Sequence, residues 1–225
     1  MTMARVPEPE LMDDEEQARA YAEADFEESN SLFLTLYKEV FGDVPTGAHV
    51  LDLGCGPGDI SIRFAREFAG CDVDAVDGSA AMLEFARKAI ADETGLADRV
   101  KFVRAVLPAD PLPRENYDIM ISNSLLHHLH EPGGLWQCIQ QYAAPGARVQ
   151  VMDLARCEST EQAAEKVATY AGDAPEVLQQ DFYNSLLAAF TPAEVESQLA
   201  TAGFDGFEVR TVSDRHLLAT GRMPL

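Results

Sequence analysis

Apolar residues along this chain come in short runs separated by amphipathic stretches. Runs at 50–53, 71–76, 100–104, 117–122 and 148–154 read as buried strands. Between them the apolar spacing turns helical. Ile60, Phe64, Ala65 and Phe68 follow Asp59, which is placed to cap a helix that Gly70 would end. Met82, Leu83, Phe85, Ala86 and Ile90 follow Ser79 in the same way, and residues 134–144 suit a third helix before Gly146. Strands alternating with helices predict an α/β fold with a doubly wound parallel sheet.

Both ends of the chain depart from that alternation. Residues 1–10, with Pro7 and Pro9, read as a loose arm. Over 11–41, Tyr21, Phe26, Phe33, Leu36, Tyr37 and Val40 recur among acids, which predicts one or two helices ahead of the sheet. Such helices either cover the carboxyl edge of the sheet or pack on its face as core. Residues 155–190 are too long for a loop and hold helical patches containing Val167, Tyr170, Phe182, Tyr183, Leu186 and Leu187. Thr191-Pro192-Ala193-Glu194 then spells a capping box for a helix running to Gly203. The runs 207–212 and 216–220 are joined by a short turn, so they pair antiparallel.

Composition narrows the setting. The 225 residues suffice for one sizeable domain, and 47% hydrophobic with 24% charged residues is a globular balance. Seventeen basic against 38 acidic residues leave a formal charge of −21, a field that repels phosphate backbones and disfavours a nucleic-acid partner. Cys55, Cys71, Cys138 and Cys157 are scattered without a C-x-x-C pair, so a reduced, cytoplasmic setting is expected. The acidic start is unlike a signal peptide, and no apolar run reaches the roughly 20 residues of a membrane span. Oligomeric state stays open between monomer and homodimer.

The chemistry centres on Val50-Leu51-Asp52-Leu53-Gly54-Cys55-Gly56-Pro57-Gly58, a strand entering three closely spaced glycines. Glycines there let the backbone turn and approach a ligand. A dinucleotide loop wants a third glycine where this chain has Asp59, and an acid there is poor for a pyrophosphate. Asp52 adds a second acid beside the loop, so the loop suits a cationic ligand without phosphate. An NAD-dependent oxidoreductase is the weaker alternative. The pattern D-x-G-x-G-x-G resembles the first motif of the class I S-adenosylmethionine-dependent methyltransferases, and the resemblance extends over roughly residues 45–222.

The resemblance implies a Rossmann-like seven-stranded sheet, mostly parallel with an antiparallel last strand. It divides the chain into an arm and helical lid, 1–44, and a methyltransferase domain, 45–225, whose insertion at 155–190 covers the acceptor. S-adenosylmethionine would be the cofactor and S-adenosylhomocysteine the product. Asp52, Gly54, Cys55, Gly56 and Asp59 would meet it at the loop, and Asp77 would accept from the ribose hydroxyls. Gly78, Ser79 and Met82 would border the adenosine. An acid near the third strand often contacts the adenine in this family; here Ala105, Val106 and Leu107 occupy that neighbourhood, so the backbone or a folded-back Asp110 would have to serve. Asn123 and Ser124, just past the fourth strand, would face the methionine end.

Methyl transfer from a sulfonium needs a base only when the acceptor must lose a proton. His127 and His128, in Leu125-Leu126-His127-His128-Leu129-His130, are the candidate catalytic residues. The three histidines lack a separated third anchor, so no metal site is expected. Tyr21, Phe26, His128, Tyr170 and Tyr183 are candidate walls of the acceptor site. No N-P-P-Y or D-P-P-Y and no Pro-Cys follows the fourth strand, which argues against adenine N6, glutamine amide and pyrimidine C5 acceptors. A small-molecule acceptor is expected. The alternatives are a macromolecular acceptor, RNA or protein, and a protein that binds the cofactor without catalysis.

Overall fold

The computed structural model describes residues 3–9, 11, 14–91, 93 and 95–225. Seven strands form one sheet: β1 (His49–Leu53), β2 (Asp72–Asp77), β3 (Val100–Arg104), β4 (Tyr117–Asn123), β5 (Ala143–Leu154), β6 (Glu208–Thr211) and β7 (His216–Arg222). Their order is β3-β2-β1-β4-β5-β7-β6. The first five are parallel, and β7 lies antiparallel between β5 and β6. The winding reverses between β1 and β4, and this opens a crevice at the carboxyl ends of the strands.

Alternation along each strand supplies both faces of the sheet. Val50, Ile119 and Ile121 pack with Phe33 and Tyr37 of α2 (Glu27–Phe41), Phe64 of α3 (Asp59–Glu67) and Leu83 of α4 (Ala80–Ile90). Leu51, Leu53 and Met120 point the other way. They meet Trp136 and Ile139 of α5 (Gly133–Tyr142) and Val195 and Leu199 of α8 (Pro192–Thr201). The stretch 155–190 holds α6 (Thr160–Tyr170) and α7 (Glu176–Ala188), which share a smaller core with Leu154 and Cys157. The capping box forms as expected, with Thr191 and Glu194 each accepting from the other's backbone N–H.

The leading segment forms two helices with different surroundings. α2 is core, with Phe33, Leu36 and Tyr37 buried on the sheet. α1 (Glu15–Glu23) instead reaches across to α4 and α7. Within the expected arm, Met1, Thr2 and Glu10 lie outside the described residues, as do Met12 and Asp13 at the start of the helical stretch. The described part of the arm is not loose. Met3 donates its N–H to the Glu158 carbonyl at 3.1 Å and Val6 to that of Leu187 at 3.0 Å. The Arg5 guanidinium lies 4.0 Å above the Phe190 ring and donates to the carbonyls of Ala188, His127 and Leu129.

Three helix ends differ from expectation. Gly58, at φ 89°, is the N-cap of α3; Asp59 is its first helical residue and bonds no cap N–H. An acid in that first turn still favours the helix through its dipole. The helix ends before Phe68 rather than at Gly70. α5 stops at Tyr142 because Ala143 pairs with Tyr117 and begins β5, so sheet pairing overrides the helical spacing.

Candidate active site

Two of the three glycines after β1 are dictated by packing. At Gly54 a Cβ would come within 2.7 Å of the Leu125 side chain, and at Gly58 within 2.8 Å of the Phe102 ring. Gly56 is different. It has φ 53° and nothing within 4 Å of where a Cβ would lie, so its bare face fronts open space. The loop is tied to β2. Gly54 and Cys55 donate to the Val76 carbonyl at 2.9 and 3.0 Å, and Gly56 donates to Asp77 Oδ2 at 2.8 Å. Asp77 Oδ1 accepts from Ser79 N–H at 2.8 Å, so one carboxylate holds the turns after both β1 and β2.

These turns floor a cavity of about 160 Å³ at the carboxyl ends of β1, β2 and β4. Every residue assigned from the sequence to the cofactor lines it: Asp52, Gly54, Cys55, Gly56, Asp59, Asp77, Gly78, Ser79, Met82, Ala105, Val106, Leu107, Asn123 and Ser124. Ser124 sits at φ 58°, a left-handed conformation uncommon outside glycine, and its N–H donates to the Met152 carbonyl at 2.9 Å. Asp110 does fold back, but onto the Val106 N–H at 2.9 Å, so that donor is taken. Leu11, Asn30 and Ile60 also line the cavity without any signal in the sequence that sets them apart from core.

Asp52 is buried under the loop and accepts from Ser61 Oγ at 2.5 Å. Burial pushes its pKa up to about 7 against the effect of that hydrogen bond, and the nearby Asp77 carboxylate adds to the rise. The folded chain therefore keeps a proton that the unfolded chain, with Asp52 near 3.8, loses first. Asp52's contribution to stability is complete below about pH 4 and is lost as pH rises to about 7. Asp52→Asn is neutral at every pH. Its melting temperature relative to the parent is expected to rise between pH 4 and pH 7 and then level off, as read by thermal unfolding at a series of pH values. A constant difference would mean that Asp52 titrates normally.

A larger cavity of about 900 Å³ adjoins the first and shares Tyr21, Phe26, Asn30, Asn123, Ser124 and His128 with it. α1, the amino end of α2, α7 and the stretch at 170–175 complete its walls. Of the residues expected to meet an acceptor, Tyr21, Phe26, His128 and Tyr170 line it. Tyr183 does not; it packs against the Leu154–Cys157–Val167 core, on a face of α7 turned from the cavity.

The histidines occupy a 3-10 turn, Leu126–His128, directly after β4. Asp153, at the end of the neighbouring β5, pins that turn. Its carboxylate accepts from Leu126 N–H at 2.7 Å, from its own neighbour Leu154 N–H at 2.7 Å, and from His127 Nδ1 at 2.5 Å. Glu8 arrives on the docked arm. Its Oε1 lies 3.5 Å from His127 Nε2 and 3.3 Å from His128 Nδ1, and Ser185 Oγ donates to both of its oxygens. Burial opposes charge on His127, but Asp153 and Glu8 outweigh it and raise its pKa. Burial, with His127 alongside, holds His128 down to about 3, so that ring stays neutral. Burial likewise raises Glu8, and His127 lowers Asp153 against its own burial. Glu8 was invisible to sequence reasoning: it sits in a short proline-flanked arm far from either histidine.

Comparison with known proteins agrees with this geometry. Residues 50–146 match the methyltransferase domain family. The chain is 28% identical over 129 residues to the mitochondrial ubiquinone biosynthesis O-methyltransferase of Schizosaccharomyces pombe, covering 56% of this chain and 46% of that protein. It is 31% identical over 137 residues to the trans-aconitate 2-methyltransferase of Delftia acidovorans, covering 57% and 49%. The chain thus spans about half the length of the curated relatives it matches. Among solved structures, phosphoethanolamine N-methyltransferase 2 of Haemonchus contortus in complex with S-adenosyl-L-methionine superposes with a TM-score of 0.70 at 16% identity, over 94% of this chain and 58% of that one. Residues 50–146 are thus similar to a methyltransferase domain, and the chain has the fold of solved class I S-adenosylmethionine-dependent methyltransferases. S-adenosylmethionine is the cofactor that domain and fold imply, and a glycine cradle lined by Asp52, Asp59 and Asp77 with no lysine or arginine fits a cationic, phosphate-free nucleoside.

Proposed function

We propose that this chain transfers a methyl group from S-adenosylmethionine to a small-molecule acceptor held in the larger cavity. The observation that carries this reading is the shared wall. A glycine-floored cavity and a roomier one meet at Asn123, Ser124 and His128, so a donor in the first abuts an acceptor in the second. Asp77 and the Gly54–Gly58 turn bind the nucleoside, with Asp77 toward the ribose; Asn123 and Ser124 take the amino-acid end. The cofactor supplies an already activated methyl on a sulfonium. The protein's work is then to align the acceptor's nucleophilic atom and exclude water. Tyr21 and Phe26 close the space from above, which makes α1 and the start of α2 a lid. The α6–α7 insertion covers the acceptor, and the His127–His128 turn touches it.

A walled cavity of about 900 Å³ supports a compact acceptor over an RNA or protein segment. Its charged lining sets Glu8, Glu23, Asp25, Glu28, Asp173 and Asp181 against Arg215, which favours a neutral or cationic acceptor over a polycarboxylate. Calorimetric titration with S-adenosylmethionine should show one binding event. Radiolabelled cofactor should then transfer label to members of a panel of hydroxyl- and amine-bearing metabolites and not to RNA or protein. Binding without any transfer would reduce the chain to a cofactor-binding protein. Label in RNA or protein would move the acceptor to the macromolecular class.

A further inference from the structure

Glu8, His127 and His128 point three potential ligand atoms at one spot within 4.8 Å of one another, on the wall of the larger cavity. Hydrogen bonding leaves that spot electron-rich. His127 bonds Asp153 through Nδ1, so Nε2 is the ring atom that faces Glu8, and an ion bound there would take the place of the Nε2 proton that the two carboxylates favour. His128 donates to the Pro9 carbonyl, and its Nδ1 is buried without a hydrogen-bond partner. Two imidazole nitrogens and a carboxylate oxygen therefore converge on one spot. Oε1 of Glu8 lies 3.5 and 3.3 Å from the two nitrogens, long for direct hydrogen bonds. Those spacings match the edge of a tetrahedron around an ion with ligand bonds of about 2.0–2.1 Å, which is about 3.3 Å.

We propose that Glu8, His127 and His128 form a binding site for a divalent transition-metal ion of the zinc class. Two imidazoles and one carboxylate are a ligand set that leaves a fourth position open, and here that position faces the acceptor cavity. Asp153 holds the His127 tautomer and ring from behind, as outer carboxylates do at metal-bound histidines. Ser185 orients Glu8 in the same way. The separated third anchor that the histidine spacing lacks is supplied by the arm, and ion binding would lock the arm over the cavity. On the methyl-transfer reading, the open position would take an oxygen of the acceptor, which narrows the acceptor to a hydroxyl compound.

The test needs neither cofactor nor acceptor. Full-length protein is freed of metal with a chelator, then titrated with Zn²⁺ by calorimetry and with Co²⁺ by visible absorption. One equivalent should bind, with the intense cobalt bands of a four-coordinate site. Glu8→Gln and His128→Ala should each weaken binding by more than about 10-fold. His49→Gln, remote from the site, should leave it unchanged. The proposal is overturned if the parent shows no saturable binding, or if variants that melt at the parent's temperature bind equally well. Separate titration with S-adenosylmethionine keeps the outcomes apart: retained cofactor binding without metal binding would sink the ion site and spare the methyl-transfer reading.

Discussion

Gly56→Val is expected to abolish S-adenosylmethionine binding while the chain still folds. The position fronts open space, with no atom within 4 Å of a prospective Cβ, so the new side chain would enter the cavity rather than the core. At φ 53° a β-branched residue is strained as well, and relief of that strain would move the N–H that Gly56 gives to Asp77. A loss of more than about 100-fold in affinity, about 2.7 kcal/mol, should be seen by calorimetry. Circular dichroism should remain that of the parent. Gly54→Val and Gly58→Val make the contrast, because their Cβ atoms would strike Leu125 and Phe102; they should lower the melting temperature sharply. If Gly56→Val bound the cofactor at parental affinity, the loop would cease to be the site.

Asp77→Ala should produce the second large effect. The carboxylate accepts from Gly56 N–H and Ser79 N–H, each at 2.8 Å, and these bonds hold two turns in the shape that forms the cavity floor. Losing a charged acceptor is worth about 1.5–3 kcal/mol, which corresponds to about 10- to 150-fold in Kd. The expected loss combines a missing ribose partner with a loosened loop, and Asp77→Asn separates the two. Asparagine keeps one acceptor oxygen and can still hold one of the two turns, so its affinity should lie between those of Ala and the parent. Equal affinity in all three proteins would remove Asp77 from both roles.

Much of the cofactor side was legible because it is local in a parallel sheet. Adjacent strands β1, β2 and β4 end at one edge, so residues just past each of them converge wherever the strands are found. Finding Asp52–Gly58, Asp77–Met82 and Asn123–Ser124 in the sequence was therefore enough to assemble them. Asp59 shows the limit of that logic. The acid after the loop was legible, yet whether it or Gly58 capped α3 depended on a backbone angle.

The acceptor side was less legible. Tyr183 and Phe182 are neighbours on α7 and both pack half-buried against the small core, yet only the rotation of that helix brings Phe182 onto the cavity wall as well. Arg5 could be read as no more than part of a polar arm, although it reaches the carbonyls of His127, Leu129 and Ala188.

By itself the sequence determined the alternation of strands and helices, the glycine turn and the acids around it, since these follow from periodicity and from what a backbone can do without a Cβ. Only the tertiary structure decided that Asp153 backs His127 and that Glu8 faces both histidines. Those contacts join residues far apart in the chain, Glu8 with His127 and His128 and His127 with Asp153. No local pattern encodes them; they arise where β4 and β5 lie side by side and the arm is docked by backbone bonds to Glu158 and Leu187 and by the Arg5 side chain.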